Sequence, residues 1–194
     1  MLVIGITGPA GSGKSTVSKI IKKICEDKAS IIDVDRLGHE VLTYFFIKEK
    51  LKEIFGEEIF DDDNNISRSK LGEIVFSNKE KLELLNQIVH PEILKKTEQI
   101  LKKISNKNDI IMVDAALLFK IGLDKLCDKI IYVDAPEELR IKRLSENRGI
   151  PLEKAKNIVK SQEYINSERC DFKILNIGNF DKLYKETEKI IQNL

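Results

Sequence analysis

The chain has 194 residues, 42% of them hydrophobic, enough for one domain with a sizeable core and an insertion, and too few for two large units. Its 33 basic residues are balanced by 32 acidic ones, so no broad electrostatic footprint points to nucleic acid or to an anionic membrane. Cys25, Cys127 and Cys170 form no C-x-x-C pair and have only His39 and His90 to join them, so no zinc-ligand spacing exists. With no apolar run of spanning length and no basic leader or cleavage pattern, a reduced cytoplasmic protein is expected, as a monomer or small homo-oligomer.

The first predicted element is a short apolar strand from Leu2 to Ile6, followed at once by Gly8 to Ser15, GPAGSGKS, which fits G-x-x-x-x-G-K-[ST]. Gly8, Gly11 and Gly13 permit the tight backbone that turns successive N–H groups toward a polyphosphate, and a helix beginning near Gly13 adds its positive end. Lys14 is the expected partner of the β- and γ-phosphates of ATP, and the Ser15 hydroxyl the expected Mg²⁺ ligand. Ser12 and Thr16 belong to the same nucleotide-binding set.

A second strand is predicted at residues 31–35, IIDVD. Strand ends at the carboxyl side of an α/β sheet collect ligands, and alternation along such a strand puts Asp33 and Asp35 on one side with Val34 on the other. A phosphate acceptor calls for arginines at that place. Two carboxylates instead suit a hydroxyl acceptor, with one Asp orienting the OH and taking its proton. The competing reading has one of the two capping the following helix.

Residues 36–108 hold helical periodicity and no convincing strand, which predicts an inserted helical subdomain for the acceptor substrate, with GEEIFDDDNN as a loop inside it. His39 and His90 are candidate acceptor contacts, with hydrogen-bonded structural roles as the alternative. Asp35-Arg36-Leu37-Gly38 fits D-x-x-G and Asn106-Lys107-Asn108-Asp109 fits N-K-x-D, a combination that would mark a GTP-dependent switch. Here, however, N-K-x-D precedes a strand instead of following one.

Three further strands, 109–114, 129–134 and 171–176, bring the total to five, all near-continuously apolar as buried parallel strands are. The expected fold class is α/β: a five-stranded parallel sheet flanked by helices, in one domain over residues 1–194 with the helical insertion and a lid. Asp114 ends the third strand where a Mg²⁺-holding carboxylate belongs, or else caps a turn. Pro136 and Pro151 fit first-turn positions of helices, and Phe180 to Leu194 reads as a closing helix. Residues 140–162, beginning RIKRLSENRG, read as a lid in which Arg143 and Arg148 neutralise charge during transfer.

Together, GITGPAGSGKST, IIDVDRLGHEV, VHP at 89–91, AALLFKIGLD, KRLSENRGIPLEKA with Gln162, and CDFKILNIGN resemble the dephospho-CoA kinase family nearly end to end. The resemblance implies ATP as donor, Mg²⁺, and phosphorylation of the ribose 3′-hydroxyl of dephospho-CoA. It also implies a fold of P-loop kinase type with core, helical CoA-binding and lid parts, the second Asp of D-x-D, Asp35, as base, and Asn176 and Gly178 beside the adenine pocket. Asn176 as a strand-end turn residue is the alternative. Two departures stand out. Lys120 replaces an acidic residue of the family's third-strand loop, and Arg143 and Arg148 are five apart where the family spaces its arginines by four, which turns the second by about 100° on a helix. Other small P-loop kinases, of nucleosides, nucleotides or shikimate-like alcohols, remain the rival reading.

Overall fold

The computed structural model describes residues 1–104, 109–161 and 167–194, with the backbone alone at position 148. The chain forms two compact units, one of Met1–Asp33 with Leu101–Leu194 and one of Val34–Ile100.

In chain order the first unit opens with β1 (Leu2–Thr7), α1 (Lys14–Cys25) and β2 (Ala29–Asp33). The chain then leaves through α2 (Val34–Val41), α3 (Phe45–Phe55), α4 (Arg68–Phe76) and α5 (Lys79–Ile104). It returns as β3 (Ile110–Asp114), α6 (Leu118–Ile121), β4 (Lys129–Asp134), α7 (Glu137–Arg148), α8 (Leu152–Ser161), β5 (Phe172–Leu175) and α9 (Phe180–Gln192).

The five strands form one parallel sheet in the order β2-β3-β1-β4-β5. β1 and β4 are neighbours whose onward connections leave in opposite directions, which opens a crevice at their carboxyl ends. Ile4 and Ile6 of β1, Met112 of β3 and Ile131 and Val133 of β4 are buried with Val17, Ile20 and Ile21 of α1 and Leu183 of α9. The α1 spacing of three and four residues is the helical stripe that a sheet face requires. A second, smaller core joins Leu144 of α7 to Ala155 and Val159 of α8, with Ala10, Ile141, Ile150 and Ile158 packed on it. Ala10 of the first loop is therefore part of the hydrophobic cluster of the α7–α8 pair.

In the helical unit Ile47, Leu51 and Phe55 of α3 lie four residues apart on one buried stripe, and Leu71, Val75, Val89 and Ile93 are buried from α4 and α5. Thr97 is buried too, its hydroxyl donating to the Ile93 carbonyl at 2.8 Å. The loop inside 56–65 contains a 3-10 turn at Glu57–Ile59, and an antiparallel bridge joins Phe60 to Ile66. Asn64 takes φ 58 there, a conformation Asn tolerates better than most residues.

The structure corrects some expected boundaries. β2 runs over Ala29–Asp33, two residues earlier than the expected 31–35, and Val34 and Asp35 already belong to α2. Strand alternation therefore stops at Asp33 and does not carry Asp35 to the same side. Buried Val34, Leu37 and Val41 set a helical period through this stretch, and an acidic residue in a first turn is favoured by the helix dipole. Pro136 and Pro151 stand one position before the expected first turn, immediately ahead of α7 and α8, where a missing N–H costs nothing.

Candidate active site

The loop between β1 and α1 owes its shape to glycine. Gly8, Gly11 and Gly13 have φ of 146°, 77° and 101°. A Cβ at Gly8 would collide with the Val133 carbonyl of β4, and one at Gly11 with the Arg140 backbone of α7. The loop thus runs tightly against its neighbours. Gly13 precedes α1 with no side-chain cap, no acid follows in the first turn, and the amides of Thr16 and Val17 close on the Gly13 carbonyl. That leaves the positive end of α1 directed at an anion site.

Lys14 opens α1, and its Nζ donates to the carbonyls of Gly8 and Pro9 at 3.0 and 3.2 Å, folding the side chain back over the loop. Ser15 and Thr16 are exposed at the same helix end, while Ser12 is fully buried. The loop fits a polyphosphate: left-handed glycines, an uncapped helix start and a lysine over the turn.

Strand register supplies the carboxylates. Asp33 of β2 pairs with Asp114 of β3, which in turn pairs with Ile6 of β1, so the two acids sit side by side in one row at the carboxyl edge. Paired residues of adjacent strands share a sheet face, about 5 Å apart. Asp114 is 8% exposed and its Oδ2 accepts from the Ser18 hydroxyl of α1 at 3.1 Å. Ser18, one helical turn after Lys14, was not among the expected site residues; its only sequence signal is a small polar residue on the buried stripe of α1.

Arg143 is also built into the loop. Its Nη1 donates to the carbonyls of Gly11 and Ser12, both at 3.2 Å, and its Nη2 to the carbonyl and Oδ1 of Asn176 at 3.3 and 3.0 Å. Burial lowers the guanidinium pKa from its ordinary value, yet such a group remains charged at neutral pH. Asn176 follows β5, is 6% exposed, donates through Nδ2 to the Ser12 carbonyl at 2.8 Å, and accepts at Oδ1 from the Gly178 amide at 3.2 Å. The last contact is the strand-end Asx turn weighed above, closed by Gly178 at φ 98°. α7 extends through Arg148 and ends at Gly149, and the Arg148 side chain lies outside the described residues, as do Gln162 and the end of the expected lid.

In the helical unit Asp35 and His39 lie four residues apart on α2, both exposed, which places them on one helix face. Arg68, the first residue of α4, brings its Nη1 to 2.8 Å from Nε2 of His39. No sequence pattern announced Arg68. His90 sits half-buried in α5 immediately before Pro91. Cys127 and Cys170 are closed to thiolate chemistry at neutral pH: burial foremost pushes their thiols up to about 12 and about 11.

A family model for dephospho-CoA kinase matches residues 2–181. The chain belongs to the dephospho-CoA kinase family. It is 38% identical to a dephospho-CoA kinase of Fusobacterium nucleatum over 197 positions, covering 100% of this chain and 99% of that one. Among solved structures it resembles TT1252 from Thermus thermophilus, with a TM-score of 0.81 and 26% identity over 100% of this chain and 97% of that one. A dephospho-CoA kinase from Campylobacter jejuni gives a TM-score of 0.63 and 28% identity over 98% and 96%.

Membership of the dephospho-CoA kinase family makes the chain a kinase and sets the GTP-switch alternative aside. The structure gives the physical reason: Asp35 to Gly38 is a segment of helix α2. Of N-K-x-D, Asn106 to Asn108 lie outside the described residues and Asp109 precedes β3. Lys120, the departure from the family's loop, is on the exposed side of α6. No described helix is long and apolar enough to cross a membrane.

Proposed function

We propose that the chain transfers the γ-phosphoryl group of ATP to the ribose 3′-hydroxyl of dephospho-CoA, the last step of coenzyme A synthesis, in the cytoplasm. The observation that carries this reading is the left-handed glycine loop at the start of α1, beside the Asp33–Asp114 row, in a chain that matches the family from residue 2 to residue 181.

In this reading the amides at the start of α1 and the Lys14 ammonium hold the donor phosphates. The 3′-hydroxyl oxygen bonds to the γ-phosphorus as the bond to the bridging oxygen breaks, and ADP carries that electron pair away. Asp35 orients the hydroxyl and takes its proton, with Asp33 beside the donor end. Mg²⁺, when bound, neutralises the charge developing on the phosphate oxygens; Ser15 Oγ and the Asp114 carboxylate are the groups that would hold it. Among the described residues no group of three or more His, Cys, Asp or Glu side chains is placed to hold a metal ion.

Residues 36–108 take the acceptor, with His39 and His90 as contacts, and 140–162 act as the lid. The test is ADP formation from ATP and Mg²⁺ with no acceptor, with dephospho-CoA, with adenosine, with AMP and with shikimate, plus a GTP arm. Stimulation confined to dephospho-CoA, with coenzyme A as product, is expected. Stimulation by AMP or shikimate instead would overturn the acceptor.

A further inference from the structure

We infer that Arg143 and Asn176 form one positioning unit that fixes the phosphate loop from its carbonyl side, and that the Asn176 side chain does not read the nucleobase. The inference deepens the kinase reading and rests on it only in taking a nucleotide as the ligand of the loop.

The geometry begins with one peptide. The Ser12 carbonyl accepts from both Arg143 Nη1 at 3.2 Å and Asn176 Nδ2 at 2.8 Å, which occupies both of its lone pairs. In a trans peptide the carbonyl and the next N–H point in opposite directions. A charged donor on the Ser12 carbonyl therefore leaves the Gly13 N–H pointing to the other side, where the α1 dipole also points, and polarises it toward a stronger donor. Arg143 Nη1 also donates to the Gly11 carbonyl at 3.2 Å, while the Ser12 N–H on the other side of that peptide is held by the Pro9 carbonyl at 3.2 Å, so both of its polar groups are fixed within the loop. The guanidinium accordingly lies on the carbonyl side of the loop, opposite the side on which a phosphate is cradled.

Asn176 is committed to the same task. Its Oδ1 accepts from Arg143 and from the Gly178 amide. Its amide nitrogen occupies the space that a Cβ on Gly13 would need. At 6% exposure it has no edge to offer a base. Gly13 thus answers two demands at once, a left-handed φ and room for the Asn176 amide.

The test measures binding of Mg²⁺-ATP and Mg²⁺-GTP by calorimetry, with no acceptor, to Asn176→Ala, Arg143→Gln, Arg143→Lys and the Asn176→Ala/Arg143→Gln double variant. Removing a charge-assisted bond from a buried loop should weaken both nucleotides by the same factor, about tenfold to a hundredfold. Because the two residues act through one peptide, the double variant should be little worse than the weaker single. Arg143→Lys should fail to rescue, since a point charge cannot span carbonyls that a planar fork bridges. The KM for dephospho-CoA should stay put while that for ATP rises.

A tenfold change in the ATP-to-GTP ratio in Asn176→Ala would overturn the inference, because that side chain would then read the base. Multiplying losses in the double variant would overturn it as well. Thermal melts identify any variant that does not fold, and half-buried Arg143→Gln decides the matter if Asn176→Ala is lost. A wild-type protein that binds ATP but does not turn over dephospho-CoA would count against the proposed acceptor and leave this inference standing.

Discussion

In the sheet unit the chemical groups are brought together by repeating geometry. Gly8 to Ser15 is one contiguous stretch, a loop through Gly13 and then the first residues of α1, and Asp33 meets Asp114 because β2 and β3 pair residue by residue. In the helical unit no such rule operates: His39 and Arg68 touch across 29 positions, one on α2 and the other at the start of α4. The difference teaches that a donor site made of local backbone can be specified by a short motif, whereas an acceptor site made of side chains from separate helices depends on packing of the whole unit. The proposed division of labour, donor on the sheet unit and acceptor on the helices, can be broken by substitutions that move one KM and spare the other.

The largest effect is expected at Lys14. Lys14→Met removes the positive charge over the loop and should lower turnover by roughly a thousandfold or more, the scale at which preorganised charge serves such transfers; ADP release measures it. Asp114→Asn should act on metal dependence instead, raising the Mg²⁺ concentration for half-maximal rate by about tenfold to a hundredfold, with little change at saturating metal. In the helical unit Arg68→Ala frees His39, and the KM for dephospho-CoA should rise by about tenfold, on the scale of one lost hydrogen bond to a charged group, while the KM for ATP holds. Equal changes in both KM values would erase the proposed division.

The smallest effect belongs to stability and pH. The Cys127 thiol is raised from 9.0 to about 12, foremost by burial and then by Asp124 and Asp128. The folded protein holds this proton more tightly than the unfolded chain does, so the contribution is fully present below about pH 9 and is lost as pH climbs toward about 12. The melting temperature should therefore fall across that window, and less steeply in Cys127→Ala. A Cys127 that alkylates at pH 8 as fast as a free thiol would contradict the placement.

Much of the sheet unit was legible because its signals are periodic or contiguous. Five apolar runs gave five strands, with β4 at 129–134 as expected, and the glycine motif gave the loop. The stretch 31–35 reads as strand to its end because Ile31 to Asp35 alternates acceptably, whereas the helix from Val34 onward rests on the later buried residues Leu37 and Val41. Arg143 was legible as important but not in its placement. A lysine- and arginine-rich helix face says nothing about which guanidinium is drawn onto two carbonyls of a loop more than a hundred residues away. Arg68 carried no local signal at all. The Asp33–Asp114 pairing needed strand order, which no single motif encodes.

The most direct test of the division between donor and acceptor ends is ATP binding and turnover measured side by side in Asp35→Asn. The account predicts an ATP dissociation constant close to wild type together with turnover lower by about two to four powers of ten, the range that a general base contributes. Near-normal turnover, or ATP binding lost along with activity, would contradict it.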